Sequence, residues 1–157
     1  MILFIYLLLN GVALLFLIKK KKNLHILELT AYWFLASYIA QNFSALCYMN
    51  FKTLYIPENL PLEMSHFISR INLYPVIMVL FLDYYLVTDS WYKKGFLMIL
   101  FVAILTSVEW LNHFLGVLIH VNWQFWWSPS VWFGGLLLLI GFMKGYRTLL
   151  FKGGHYK

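Results

Sequence analysis

The sequence predicts an all-α membrane protein, a polytopic bundle of about five transmembrane helices that forms one domain over residues 1–157. Two observations predict this class. Hydrophobic residues make up 62% of the chain and charged residues only 11%, which is more apolar surface than a water-soluble core can absorb. The apolar residues also fall into long runs separated by short polar or basic stretches. In a bilayer such runs are expected to be helices, because unpaired backbone amides find no water there.

Five runs approach the roughly 20 helical residues that cross a hydrocarbon layer about 30 Å thick. They cover residues 2–18, 24–48, about 68–88, 95–121, and a last run that starts at Trp123 or Pro129 and reaches Phe142 or slightly beyond. The first run does not read as a secretion signal, because its four lysines at positions 19–22 follow the apolar stretch. We therefore expect it to be a retained helix.

Proline and capping residues predict several helix ends. Asn59 precedes Pro61 as a cap precedes a first turn, so the third helix is expected to begin as early as Pro61. Pro75 removes a backbone donor inside the same helix and should kink it. Ser128 followed by Pro129 resembles another cap and first-turn proline.

The distribution of lysine and arginine predicts the orientation, because cytoplasmic loops are enriched in both. With the amino terminus outside, the outer side keeps only Lys52 and Arg70. The remaining basic residues fall inside: Lys19, Lys20, Lys21, Lys22, Lys93, Lys94, Lys144, Arg147, Lys152 and Lys157. We therefore predict a multi-pass protein of the cell membrane with a cytoplasmic carboxyl terminus.

Several functional classes find no support in the sequence. Basic residues occur in short runs between apolar stretches instead of on one solvated face, which argues against nucleic-acid binding. Cys47 is the single cysteine, so neither an intrachain disulfide nor a cysteine zinc motif is expected. No activated serine or cysteine motif occurs, and one Glu-x-x-x-His is not the repeated pattern of a di-iron bundle. We predict no metal and no cofactor.

The main candidate site is an outer-half cluster of polar residues. A charge near the bilayer centre costs about 2.5–3.5 kcal/mol, so such residues usually have partners inside the bundle. Glu109 and His113 are four residues apart on one helical face, and His120 is predicted to extend this stripe outward. Arg70 and Asn42 are expected at comparable depth. The cluster is either an interhelical hydrogen-bond network or a site for a substrate, a proton or a cofactor.

Two further groups of residues have simpler predicted roles. Asp83, Glu28 and His25 are expected near the inner ends of their helices, with Lys22 or Lys93 close by, as an inner polar cluster or an interfacial salt bridge. Four tryptophans are expected to anchor the fifth helix at the outer headgroup boundary, as amphipathic rings do. They are Trp123, Trp126, Trp127 and Trp132.

The carboxyl-terminal half resembles an uncharacterised family of small polytopic membrane proteins from spore-forming Gram-positive bacteria. The similarity covers roughly residues 72–150 and rests on the spacing of the YP, EW, LG and HVNWQFWWS motifs, which begin at Tyr74, Glu109, Leu115 and His120. It implies a helical bundle in a bacterial membrane. It also implies that Glu109, Trp110, His120 and the following tryptophans are the family's signature.

Three functions are compatible with the sequence. The first is a non-enzymatic protein that binds a lipid or small ligand, or is a subunit of a membrane complex, with membrane lipids and a protein partner or a second copy as its contacts. The second is a membrane-embedded enzyme acting on a lipid or isoprenoid, with Glu109 and His113 as an acid-base pair. The third is a proton-coupled carrier, which in a bundle this narrow would require an oligomer.

Overall fold

The computed structural model describes residues 1–20 and 23–151, and most of them are helical. The helices are α1 (Ile2–Lys19), α2 (Ile26–Ala45), α3 (Leu60–Ile68), α4 (Tyr74–Val87), α5 (Trp91–Phe114) and α6 (Trp127–Phe151). A π-helical turn, Leu46–Asn50, continues α2, and a second one, Ser69–Leu73, joins α3 to α4. Two short strands, β1 (Leu54–Tyr55) and β2 (Ile119–His120), pair antiparallel. Outside the described residues lie four of the lysines that predict the orientation, namely Lys21, Lys22, Lys152 and Lys157.

Four helices in the described part of the chain are long and apolar enough to cross a membrane. They are α1, the continuous rod Leu60–Val87 formed by α3 and α4, α5, and Trp127–Leu150 of α6. Their number identifies a membrane protein of the predicted all-α class. α2 has 20 residues, which is about 30 Å of helix, but Glu28, Gln41 and Asn42 make it less apolar than the other four.

Contacts between the ends of the long helices define two distinct ends of the bundle. At the loop end, residues 51–59 and 115–126 come together through the pairing of Leu54 with His120 and of Tyr55 with Ile119. At the lysine end, Lys20 lies beside Asp83 near the end of α4. Two more of the basic residues predicted on one side of a membrane lie at this end, since Lys94 lies over the ring of Tyr85 and Arg147 pairs with Glu28.

α4 is the central helix. It packs against α1, α2, α5 and α6. Five of its apolar side chains have no exposed surface, namely Val76, Met78, Val79, Phe81 and Leu82. In the most apolar stretch of 18 residues of the rod that contains α4, 61% of the residues are buried. The corresponding fraction is 17% in α1 and 28% in α5. The outer helices therefore present most of their apolar surface to lipid, as expected for a membrane bundle.

The predicted end of the fourth helix is wrong, because α5 ends at Phe114 and not at residue 121. Gly116 has a φ of 68°, the left-handed conformation that commonly ends a helix. The amides of Val117 and Leu118 both donate to the carbonyl of Asn112, at 2.9 and 3.1 Å. The chain therefore turns back on the end of α5, and His120 lies in β2 instead of on the helix.

The other helix ends agree more closely with the predictions. The rod begins at Leu60 with Asn59 as its cap residue and a proline in its first turn. Pro75 lies in the first turn of α4, directly after the π-helical turn Ser69–Leu73, which is the kind of irregularity that accommodates a missing amide. α6 begins at Trp127, between the two predicted starts, and it continues well past Phe142.

Candidate functional site

Glu109 is the centre of a buried hydrogen-bond network at the loop end. It lies near the end of α5, and only 3% of the residue is exposed. Its Oε1 accepts a hydrogen bond from Ser128 Oγ at 2.8 Å and lies 3.0 Å from His120 Nε2. Its Oε2 accepts a hydrogen bond from Trp132 Nε1 at 2.6 Å. One carboxyl group therefore joins α5, β2 and α6.

Ser128 is oriented toward Glu109 by a neighbouring tryptophan. Trp123 Nε1 donates to Ser128 Oγ at 2.9 Å, and an indole nitrogen can only donate. Because Ser128 Oγ accepts this bond, its own hydroxyl hydrogen is free to point at Glu109. The predicted role of Ser128 as a helix cap is wrong, since α6 begins one residue earlier and the serine is fully buried.

The two histidines of the predicted stripe lie side by side, although a turn of the chain and not a helical face brings them together. Their ring centres are 4.8 Å apart, and His113 Nδ1 accepts a hydrogen bond from the backbone amide of His120 at 3.2 Å. His120 also stacks on Trp123, with 5.3 Å between ring centres and 11° between planes. His120 is thus the imidazole that contacts Glu109.

A second polar chain crosses the bundle next to this network. Asn112 Nδ2 donates to the Tyr74 hydroxyl at 2.8 Å, and Asn112 Oδ1 accepts from the Tyr6 hydroxyl. Asn10 Nδ2 donates to the Tyr6 carbonyl at 2.7 Å, while its Oδ1 accepts from Asn72 Nδ2 at 3.0 Å. Sequence reasoning missed these partners. The available signal was Asn10, a polar residue within the most apolar run, because such residues usually face another helix.

Arg70 shares a small cavity with Glu109 but does not pair with it. The two residues and His66 line a cavity of about 20 Å³, which has room for about one water molecule. Within residues 1–20 and 23–151, the ion pairs closer than 4.0 Å do not include Arg70 with Glu109. The predicted outer cluster therefore consists of a bonded group around Glu109 and a separate arginine.

Arg70 also lines a larger open cavity, which we call the loop-end cavity. Its volume is about 440 Å³. The lining residues are Tyr48, Ile56, Glu58, Glu63, Met64, His66, Phe67 and Arg70. Both charge signs and two aromatic rings are therefore present around a space large enough for a small molecule.

Two assignments made from the sequence differ from the structure. Asn42 lies outside the cluster, because it is exposed and its Nδ2 donates to the Tyr38 carbonyl of its own helix at 2.8 Å. Trp132 is not an interfacial anchor, since it is 5% exposed and its indole nitrogen binds Glu109. Trp126 is exposed and Trp123 and Trp127 are half-buried at the loop end, as surface anchors would be.

The predicted inner cluster consists of two separate ion pairs at the lysine end. Asp83 Oδ2 lies 2.6 Å from Lys20 Nζ, a partner that was not predicted, whereas Lys22 lies outside the described residues. Glu28 Oε1 lies 2.9 Å from Arg147 Nε. His25 is exposed and caps α2, and its backbone amide donates to Glu28 Oε2 at 3.0 Å. The pairing of Arg147 with Glu28 was not predicted.

The geometry limits the chemistry available at Glu109. The carboxyl group accepts hydrogen bonds from Ser128 and Trp132 and also contacts His120 Nε2, and the cavity beside it holds about one water. In the part of the chain described, no group of three or more histidine, cysteine, aspartate or glutamate side chains could hold a metal ion. The loop-end cavity is the larger space, and it is adjacent to this network through Arg70 and His66.

Comparison of the chain with protein-family models, with curated proteins and with solved structures finds no match. The resemblance of residues 72–150 to a family of small bacterial membrane proteins therefore stays a prediction. Function has to be inferred from the chemistry of the site itself.

Proposed function

We propose that this chain is a non-catalytic, multi-pass membrane protein that binds a lipid or another small ligand in the loop-end cavity. The observation that carries the proposal is the environment of Glu109, which is bonded to Ser128, His120 and Trp132 of its own chain. A carboxyl group enclosed in this way supports the structure around it and does not need a ligand to satisfy it. Room for a ligand lies next to it, in a cavity of about 440 Å³ that falls within the usual range for small-molecule sites, roughly 300–1,000 Å³.

The proposed placement has five spans, with α2 as the fifth, in the cytoplasmic membrane of a bacterial cell. The charged group of α2, Glu28, is compatible with a membrane span because Arg147 neutralises it. The excess of basic residues around the lysine end favours a cytoplasmic location for that end. The amino terminus and the loop end would then face outward.

Cysteine labelling tests this orientation. In a Cys47→Ser background, Lys52→Cys at the loop end should react with a membrane-impermeant maleimide in intact cells. Asp89→Cys at the lysine end should react only after permeabilisation. The opposite pattern would contradict the orientation, and labelling of both positions in intact cells would contradict the membrane placement.

The function is tested by comparing the purified wild-type protein with Glu109→Gln and Arg70→Gln. Native mass spectrometry in a mild detergent should find a bound lipid or small ligand on the wild type and much less on Arg70→Gln. Lipid extracts of expressing cells should contain no product that depends on Glu109. A lipid product that disappears with Glu109→Gln would support the enzyme alternative. Proton flux into liposomes at high protein density would support the carrier alternative, and a copurifying protein would support a subunit role.

A further inference from the structure

Opposite charges line the loop-end cavity without neutralising one another. Glu58, Glu63 and Arg70 all face it, yet among the described residues no ion pair closer than 4.0 Å joins them. Two nitrogens of lining residues, Arg70 Nε and His66 Nδ1, are buried and have no hydrogen-bond partner within the described chain. Buried donors are usually satisfied. The cavity thus has a cationic part and an anionic part that do not neutralise each other.

The unpaired nitrogen of His66 can be a donor. Its other nitrogen, Nε2, lies 3.2 Å from Ser44 Oγ. A serine hydroxyl can donate to that nitrogen, in which case Nδ1 carries the hydrogen of the neutral ring. His66 and Arg70 would then offer two neighbouring donors to one acceptor group. A phosphate group supplies such acceptors, and arginine binds phosphate especially well.

The two kinds of charge lie at different depths. Glu63, Phe67 and Arg70 are spaced by four and three residues, so they share one face of the rod. Seven residues place Arg70 about 10 Å farther from the loop end than Glu63. Glu58 lies in the loop, still nearer the surface. From the surface inward, the order is therefore carboxylates first and guanidinium second.

We infer that the loop-end cavity binds a phosphoethanolamine group, an inference that rests on the proposed function. The phosphate contacts the guanidinium of Arg70, beside the buried His66, and the primary ammonium contacts Glu58 and Glu63. A phosphoethanolamine lipid carries its ammonium outside its phosphate and its acyl chains below both, which is the order in which the cavity presents its charges. Met64 and Phe67 are partly exposed on the same rod and offer apolar surface to the acyl region. Two carboxylates at the rim disfavour purely anionic headgroups by repulsion.

The test uses the full-length protein, purified in mild detergent, stripped of lipid and mixed with equimolar phosphatidylethanolamine, phosphatidylglycerol and phosphatidylcholine that have identical acyl chains. In native mass spectra, the wild type should retain the ethanolamine lipid about tenfold more than either other lipid. Arg70→Gln should reduce retention of all three lipids. Glu58→Gln with Glu63→Gln should keep lipid bound but lose the preference for ethanolamine. Lys52→Gln, which removes a positive charge at the same end outside the cavity, should behave as wild type.

The outcomes separate the two proposals. If retention depends on Arg70 but the three lipids bind equally, or the glycerol lipid is preferred, the headgroup assignment is wrong and the lipid-binding function stands. If no lipid or other small ligand is retained, or retention is unchanged in Arg70→Gln, the proposed function itself is wrong. Should Arg70→Gln fail to fold, the double glutamate variant alone decides the assignment through the loss or persistence of the preference. Soluble glycerophosphoethanolamine that displaces the lipid at equimolar concentration would identify a soluble compound as the source of the group.

Discussion

Replacing Glu109 with glutamine tests whether the donors around this carboxyl group hold the loop end together. Glutamine keeps one oxygen and adds an NH2 group, so it cannot accept from Ser128 on one side and Trp132 on the other as the carboxyl group does. If the remaining oxygen faces Ser128 and His120, the new amide hydrogens meet the indole N–H of Trp132, and two donors oppose each other. The reversed amide would instead oppose the hydroxyl of Ser128.

The expected loss of stability follows from the burial of this contact. One hydrogen bond is lost and one buried donor is left unsatisfied, which costs about 1–3 kcal/mol in proteins. Hydrogen bonds between membrane helices are weaker on average, about 0.6 kcal/mol. However, Trp132 is only 5% exposed and donates at 2.6 Å, so no solvent replaces the lost partner. We therefore expect Glu109→Gln to lower the free energy of unfolding by about 2 kcal/mol.

A double-mutant cycle isolates the contact. Unfolding of the purified protein in mixed micelles is titrated with sodium dodecyl sulfate and followed by far-ultraviolet circular dichroism. Trp132→Phe removes the opposing donor, so combining it with Glu109→Gln should cost about 1–2 kcal/mol less than the sum of the two single changes. Trp126→Phe is the matched control, because that exposed indole donates its hydrogen bond to exposed Gln124, and it should change stability by less than about 0.5 kcal/mol. Strict additivity of the Glu109 and Trp132 changes would refute the reasoning.

Three further changes probe the polar contacts and the turn that position the site, with the same unfolding assay. Tyr6→Phe removes the hydroxyl that donates to buried Asn112 and should cost about 1 kcal/mol. Asp83→Asn takes the charge partner from Lys20 and should cost about 1–2 kcal/mol, since the lysine can still reach water at the end of the bundle. Gly116→Ala places a Cβ at a φ of 68° with open space around it, so backbone strain alone should cost about 1 kcal/mol.

Each of these changes has a control of the same chemical type. Tyr38→Phe alters an exposed tyrosine and Asp89→Asn an exposed aspartate, so neither should change stability by more than about 0.5 kcal/mol. Gly141→Ala lies in a helix with nothing near the added Cβ, and it should be neutral or stabilising because alanine favours helix. A loss as large as that of the matching site variant would show that the effect is not specific to the predicted contact.

The sequence predicted the helices well where a single physical signal was decisive. Long apolar runs gave α1 almost to the residue, and the Asn59 and Pro61 pair marked the start of the third helix. The end of α5 was missed because hydrophobicity continues through residue 119, so composition does not distinguish helix from turn there. Gly116 was the available signal, since glycine commonly occupies the left-handed position at a helix end.

The site was predicted in part for a related reason. Buried charge near the middle of a bundle must find partners, and this singled out Glu109 and the neighbouring histidines. Which donors satisfy Glu109 depends on how α6 packs against α5, and no periodicity reveals this. Ser128 looked like a cap and Trp132 like a membrane anchor, because both residue types serve those roles more often. Their packing against Glu109 outweighed these local preferences.

The Glu109 network and the loop-end cavity are connected through the backbone. Glu109 holds His120, and His120 lies in β2, where it pairs with Leu54 of β1. The segment that follows β1 carries Ile56 and Glu58, which form the rim of the cavity. Because a two-residue strand pair has little stability of its own, the position of this rim depends on the hydrogen bond between His120 and Glu109. The buried carboxyl group can therefore shape a binding site that it does not itself touch.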